Sequence, residues 1–154
     1  MQNLLSKITD QSAEIGIIGQ GYVGLPLAMA FAKKFTVFGY DVCSGTVERL
    51  RAGKSHIQDV TDEQLSRYLG KTYVPTSNPE DLRQCDLLII CVPTPLSEDK
   101  IPDLSYIKSA CTTINTVLHP GQFVILESTT YPGTTDEVVV PILEETGLVA
   151  GSDF

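Results

Sequence analysis

Short apolar runs alternate with longer amphipathic stretches along the whole chain. Residues 15–18, 36–40 and 86–92 are largely apolar runs bounded by glycine, acid or proline, the pattern of parallel strands buried on both faces. After the first run, "LPLAMAFAKKF" keeps helical spacing through Leu27, Ala30 and Phe31. Pro26 falls in its first turn, where a missing N–H costs little. A helix over about 44–52 is stopped by Gly53. Another opens on a capping-box pair, Thr61 and Gln64, and closes at Gly70. "TYVPTS" reads as a short third strand, and "NPEDL" as an Asn cap followed by proline at the first helical position. Asp103 caps a helix whose Leu104, Ile107, Cys111, Ile114 and Leu118 form one apolar stripe. A fifth strand is expected over 123–127. A last helix over 134–146 should be kinked by Pro141 and capped by Gly147.

Strands that alternate with helices predict an α/β fold: a Rossmann-like, doubly wound, mostly parallel sheet. Two βαβαβ halves hold six strands, and five are visible. The pattern therefore reads as truncated before a sixth strand that should begin near Phe154. Residues 1–13 read as an N-terminal extension and 14–154 as one domain, in keeping with a length of 154 residues.

Charge and composition narrow the partners. A net charge of −8 without a basic patch makes a poor nucleic-acid binder. No apolar run approaches the roughly 18 residues of a membrane span, and the opening residues carry no leader pattern, so a cytoplasmic location is expected. Cys43, Cys85, Cys91 and Cys111 have neither C-x-x-C spacing nor paired histidines, so they read as reduced thiols and no metal site is expected. Cys91 and Cys111 should be buried. Cys43, at a helix start, should be exposed with a lowered pKa.

"GQGYVG", residues 19–24, matches G-x-G-x-x-G between a strand and a helix. In that context Gly19 makes the tight turn, Gly21 admits a pyrophosphate to the backbone, and Gly24 lets helix and strand pack. The helix N-terminus offers free N–H groups to phosphate. Asp41, 22 residues after Gly19, ends the next strand near the roughly 20-residue spacing of a ribose-binding acid. A carboxylate there favours NAD over NADP, because it repels a 2′-phosphate. The plainer alternative is a structural turn with Asp41 as a helix cap.

Ligands of such sheets bind beyond the strand C-termini at the switch in strand order, which strands one and four should flank. Pro93, Thr94 and Pro95 should then line the groove, unless they form a rigid turn that touches nothing. Ser128, Thr129 and Thr130 follow strand five and could hold water, ribose or a substrate oxygen, or serve only as turn and cap residues. No general base with a partner is evident. His56 lies in a polar loop, His119 ends a helix in a structural role, and Glu127 ends a strand expected to be buried.

Together, "IGIIGQGYVGLPLA", "LLIICVPTP" and "ILESTTYPGTT" resemble the N-terminal domain of the UDP-glucose/GDP-mannose dehydrogenase family, from about residue 14 to 154. "IPDL" and the Y-P-G-T-T form resemble its UDP-N-acetylhexosamine branch, which serves surface-polysaccharide synthesis. The resemblance implies oxidation of a sugar C6 alcohol to a carboxylate with two NAD+, a UDP-sugar substrate and a homo-oligomeric full-length enzyme. It also implies roles for residues. Gly21, Tyr22 and Val23 would meet the NAD phosphates and Asp41 the ribose. Val92, Pro93 and Thr94 would lie along the cofactor, Ser128 near the nicotinamide, and Thr129 would help hold an active-site water. "DVCSGT" departs from the family's D-V-N-x-x-R, with Cys43 for Asn and Thr46 for Arg, so an adenosine-side contact is expected to be missing. The family's nucleophilic cysteine, catalytic lysine and sugar-binding domain would follow Phe154, which predicts an isolated cofactor domain that is inactive alone. A stand-alone NAD-binding module, or another Rossmann enzyme such as a hydroxyacid dehydrogenase, are the competing readings. "VPTP" and "ESTTYPG" argue against the latter.

Overall fold

A computed structural model describes residues 2–96 and 102–154. Ile101, which opens "IPDL", lies outside them. Five strands, β1 (Glu14–Ile18), β2 (Thr36–Tyr40), β3 (Tyr73–Thr76), β4 (Leu87–Ile90) and β5 (Phe123–Leu126), form one sheet in the order β3-β2-β1-β4-β5. Every pairing is parallel. The order reverses between β1 and β4, the two strands expected to flank the switch.

Alternate residues of the central strands feed two cores, which is why these strands read as continuous apolar runs. Ile15, Ile17, Val37 and Ile89 pack beneath α2 (Gly24–Phe31), α3 (Ser44–Arg51) and α4 (Asp62–Tyr68), with Leu25, Ala28, Leu50 and Leu65. Ile18, Phe38, Leu88 and Ile90 face the other way, onto α5 (Ser105–Asn115) and α6 (Val140–Glu144), with Ile107, Cys111, Ile114 and Leu143. The expected stripe of α5 is the buried one, and the Asp103 carboxylate accepts from the Ser105 amide at 2.9 Å. The Thr61 and Gln64 capping box is formed in both directions. Pro75 is tolerated inside β3 because that strand is at the sheet edge.

Three features differ from the sequence pattern. The extension carries a helix, α1 (Gln2–Thr9), and Lys7 pins it to Asp86 at 2.6 Å, below the N-terminal end of β4. Instead of one helix with a kink at Pro141, a π-turn over Thr135–Val139 passes directly into α6. Proline cannot donate to the preceding turn, and the wider turn before it absorbs the mismatch. β5 is an edge strand, exposed to half-buried along its length, so Glu127 ends an exposed strand and not a buried one.

Candidate functional site

The glycine loop is shaped by two contacts that admit no side chain. Gly19 has φ +95°, and a Cβ there would lie 2.6 Å from the Cys91 carbonyl oxygen. A Cβ on Gly24 would lie 1.8 Å from the Gly19 carbonyl oxygen. Gly21 is different: a Cβ there would meet nothing within 4 Å. The middle glycine therefore leaves space that the protein does not fill, as a backbone awaiting a close ligand requires.

That space belongs to a groove of about 440 Å³ over the C-terminal ends of β1, β2 and β4. Gly19, Gly21, Tyr22, Val23, Asp41, Val92 and Pro93 line it, all of them expected from the sequence. Tyr22 and Val23 are exposed. Helix α2 begins without a side-chain cap, its first backbone bonds running from Leu25 to Gly21 and from Leu27 to Val23. Among the described residues no acceptor meets the amides of Tyr22, Val23 and Gly24, which leaves N–H groups at a helix N-terminus open to an anion.

Asp41 is held from both sides. One carboxylate oxygen accepts from the Gln20 amide and the other from the Cys43 amide, each at 2.9 Å. The acid thus ties the glycine loop to the start of α3 and keeps a negative charge at the groove wall. Cys43 is exposed at that helix start. Hydrogen bonds from Thr46 hold its thiol below the ordinary range. Burial pushes the Cys91 thiol up to about 12, with Glu127 adding to the shift. Although Cys91 borders the groove it is only 6% exposed, a poor nucleophile.

Thr94, Ser128 and Thr129 come together outside that lining. Ser128 Oγ donates to the Val92 carbonyl at 2.8 Å, and Thr94 Oγ1 donates to the Thr129 carbonyl. The loops after β4 and β5 are clasped to each other by these hydroxyls. Thr130 and Thr134 share a hydroxyl contact at 3.0 Å. His119 stands away from the groove, its ring nitrogens 3.0 and 2.9 Å from the carbonyls of Pro120 and Arg83, a brace between chain segments.

Two sets of residues at the site escape a reading of the sequence. Tyr106, Ser109, Ala110 and Thr113 put one face of α5 onto the groove. Their i, i+3, i+4, i+7 spacing is a usable signal, masked by the stronger apolar stripe beside it. Gln20 and Tyr73 lie beneath the glycine loop, both wholly buried. Nothing local marks them, since their contact spans 53 positions.

A parallel sheet with its switch at β1 and β4, an open-centred glycine loop and a carboxylate ending β2 together define a dinucleotide-binding domain of the Rossmann type. Residues 13–154 match the family model described as the UDP-glucose/GDP-mannose dehydrogenase family, NAD binding domain, and the chain belongs to that family. It is 42% identical over 142 residues to a UDP-N-acetyl-D-glucosamine 6-dehydrogenase of Pseudomonas aeruginosa, covering 92% of this chain and 33% of the relative. The structure of a UDP-N-acetyl-D-mannosamine dehydrogenase from Pyrococcus horikoshii is similar with a TM-score of 0.86 at 41% identity, over 92% of this chain and 34% of that one. A GDP-mannose dehydrogenase of Pseudomonas aeruginosa, solved as a ternary complex, also gives 0.86, at 31% identity over 91% of this chain and 34% of that one. The chain spans about a third of the length of the curated relatives it matches. The family resemblance of the three motifs is thus borne out, and NAD is the cofactor. Among the described residues no helix is long and apolar enough to cross a membrane.

Proposed function

We propose that this chain provides the cofactor site of a UDP-sugar 6-dehydrogenase, acting on a UDP-N-acetylhexosamine in the making of a surface polysaccharide. The open space at Gly21, inside a groove with Asp41 at its wall, carries the cofactor part of this reading. The names of the most similar relatives support the sugar class. Residues 14–154 make up the cofactor domain, with residues 1–13 as an extension that Lys7 pins to it.

The fit of residues to cofactor follows from their chemistry. Amides at Gly21, Tyr22 and Val23 hold the pyrophosphate at the start of α2, while Gly19 and Gly24 set the loop that presents them. Asp41 accepts from the adenosine ribose hydroxyls and repels a 2′-phosphate. Val92 and Pro93 form the wall along the cofactor, and Thr94, just beyond the lining, ties that wall to the loop after β5. Ser128 lies toward the nicotinamide, and Thr129 helps orient a water near the reacting carbon. NAD+, when bound, supplies the hydride acceptor. The wall formed by Val92 and Pro93 keeps solvent from one side of the groove. The sugar grip, the nucleophile and the oligomer contacts belong to the whole enzyme, for which a homo-oligomer is proposed.

Calorimetric titration with NAD and NADP tests the cofactor reading. NAD should bind more tightly, and equal or tighter NADP binding would overturn it. The 154-residue chain mixed with NAD+ and UDP-glucose, UDP-N-acetylglucosamine or UDP-N-acetylmannosamine should produce no steady NADH. Among the described residues no lysine lines the groove, and the one cysteine that does is the buried Cys91. Turnover abolished by Thr129→Ala would show that this chain suffices for the chemistry.

A further inference from the structure

The second position of the glycine motif is free to vary by the pattern alone, yet here it is among the most constrained residues in the molecule. Gln20 is wholly buried, and both polar atoms of its side chain have partners. Its side-chain amide donates to the Ile17 carbonyl at 2.9 Å and to the Gly19 carbonyl at 3.3 Å. Its side-chain oxygen accepts from the Tyr73 hydroxyl at 2.7 Å. Its backbone N–H donates to Asp41 Oδ2 at 2.9 Å. One residue therefore touches the turn at Gly19 and the carboxylate at the groove wall.

Tyr73 reaches Gln20 from β3, two strands away from β1. Between them lies β2, and there the chain has Gly39. A Cβ at Gly39 would come within 2.6 Å of both Gln20 Oε1 and Tyr73 Oη. Three adjacent strands thus yield space to a single hydrogen bond under the loop. Burial and the nearby Asp41 charge push the Tyr73 phenol far above its ordinary pKa. It stays a neutral donor throughout the working pH range.

A purely apolar core would have been simpler at this place, because a buried amide must have all its partners to be tolerated. What the polar pair adds is direction: it fixes the rotation of Gln20 and with it the Gly19 carbonyl and the Asp41 carboxylate. We propose that Tyr73 is a positioning residue for the cofactor, holding the phosphate loop and Asp41 in their binding geometry through Gln20. This rests on the reading of the groove as the NAD site.

The test is a double-mutant cycle of Tyr73→Phe and Gln20→Met, with NAD affinity measured by calorimetry below the melting range of every variant. Amide hydrogen exchange of Gln20 and Gly21 is followed without cofactor. Tyr73→Phe keeps the ring and its packing, so the fold should survive. It should weaken NAD about tenfold and speed exchange at Gln20 and Gly21. Adding it to Gln20→Met should cost nothing further, because the partner is already gone. A lower melting temperature with unchanged affinity and unchanged loop exchange would overturn the proposal and leave the pair as core packing. Additive losses would overturn it too, since Tyr73 would then act without Gln20. If the wild-type chain ignored NAD while Tyr73→Phe still loosened the loop, the cofactor reading would fail and the brace would stand.

Discussion

Around the glycine loop, on the β1–β2–β3 side, the backbone is held by side chains that are wholly inside the protein. Gln20 and Tyr73 brace it from below, and Gly19 and Gly24 are packed so closely that neither admits a side chain. Beyond β4 and β5 the loops are held by hydroxyls on half-buried residues, Ser128 on the Val92 carbonyl and Thr94 on the Thr129 carbonyl. The contrast teaches where rigidity is built in. The glycine-loop end of the groove is preset by the core. The other end is clasped loop to loop, where neighbouring contacts can adjust it.

If that is right, damage in the first region should be severe and should separate cleanly by position. Gly24→Ala places a carbon 1.8 Å from the Gly19 carbonyl oxygen, so the loop or helix must move. It should lower stability by about 3 kcal/mol, the upper range for overpacking, and remove NAD binding with it. Denaturant titration and calorimetry on the same variant check both. Gly21→Val is the counterpart: its side chain enters open space, so stability should change by less than about 0.5 kcal/mol. NAD affinity should nevertheless fall by about 100-fold or more, as pyrophosphate approach is blocked. A Gly21→Val chain that binds NAD normally would mean that the glycine loop is not a phosphate cradle.

Asp41→Ala should come next. It breaks the hydrogen bonds to Gln20 and Cys43 and removes the negative charge at the groove wall. NAD should weaken by about 10-fold to 100-fold, the scale of a lost charged hydrogen bond. NADP should lose less, so the preference between the two narrows. Parallel titrations measure this directly, and an unchanged NAD/NADP ratio would place the discrimination elsewhere.

The phosphate end was also the more legible from sequence. Continuous apolar strands, the G-x-G-x-x-G spacing and the acid at position 41 are local patterns with local causes, and they placed β1, α2 and β2 correctly. The buried side chains that brace the loop were not legible, because Gln20 looks like any polar loop residue until Gly39 and Tyr73 are beside it. The groove face of α5 was hidden behind its apolar stripe. At the other end, a run such as 123–127 reads as a strand whether it is central or at an edge. Whether Glu127 is buried depends on what pairs with β5, which no local pattern encodes. The π-turn before Pro141 is likewise a compromise between a helix and a missing donor, visible only once the turn is built.

The smallest effect is expected at Ser128, and it tests the loosely held end. Its hydroxyl donates to the Val92 carbonyl at 2.8 Å and lies 3.4 Å from that of Ile90. Ser128→Ala removes a half-exposed neutral hydrogen bond, worth about 1 kcal/mol. In a domain of this size that lowers the melting temperature by about 2–4 °C. The Val92 carbonyl is then free to turn to solvent, and the wall that Val92 and Pro93 form along the groove relaxes. NAD affinity of the chain should fall by no more than about threefold, because the phosphate loop and Asp41 keep their own supports. Differential scanning calorimetry and NAD titration of Ser128→Ala, with Thr94→Ala beside it, give both numbers. A loss in affinity as large as that of Asp41→Ala would mean that the two ends of the groove are held as one unit, and the contrast between them would disappear.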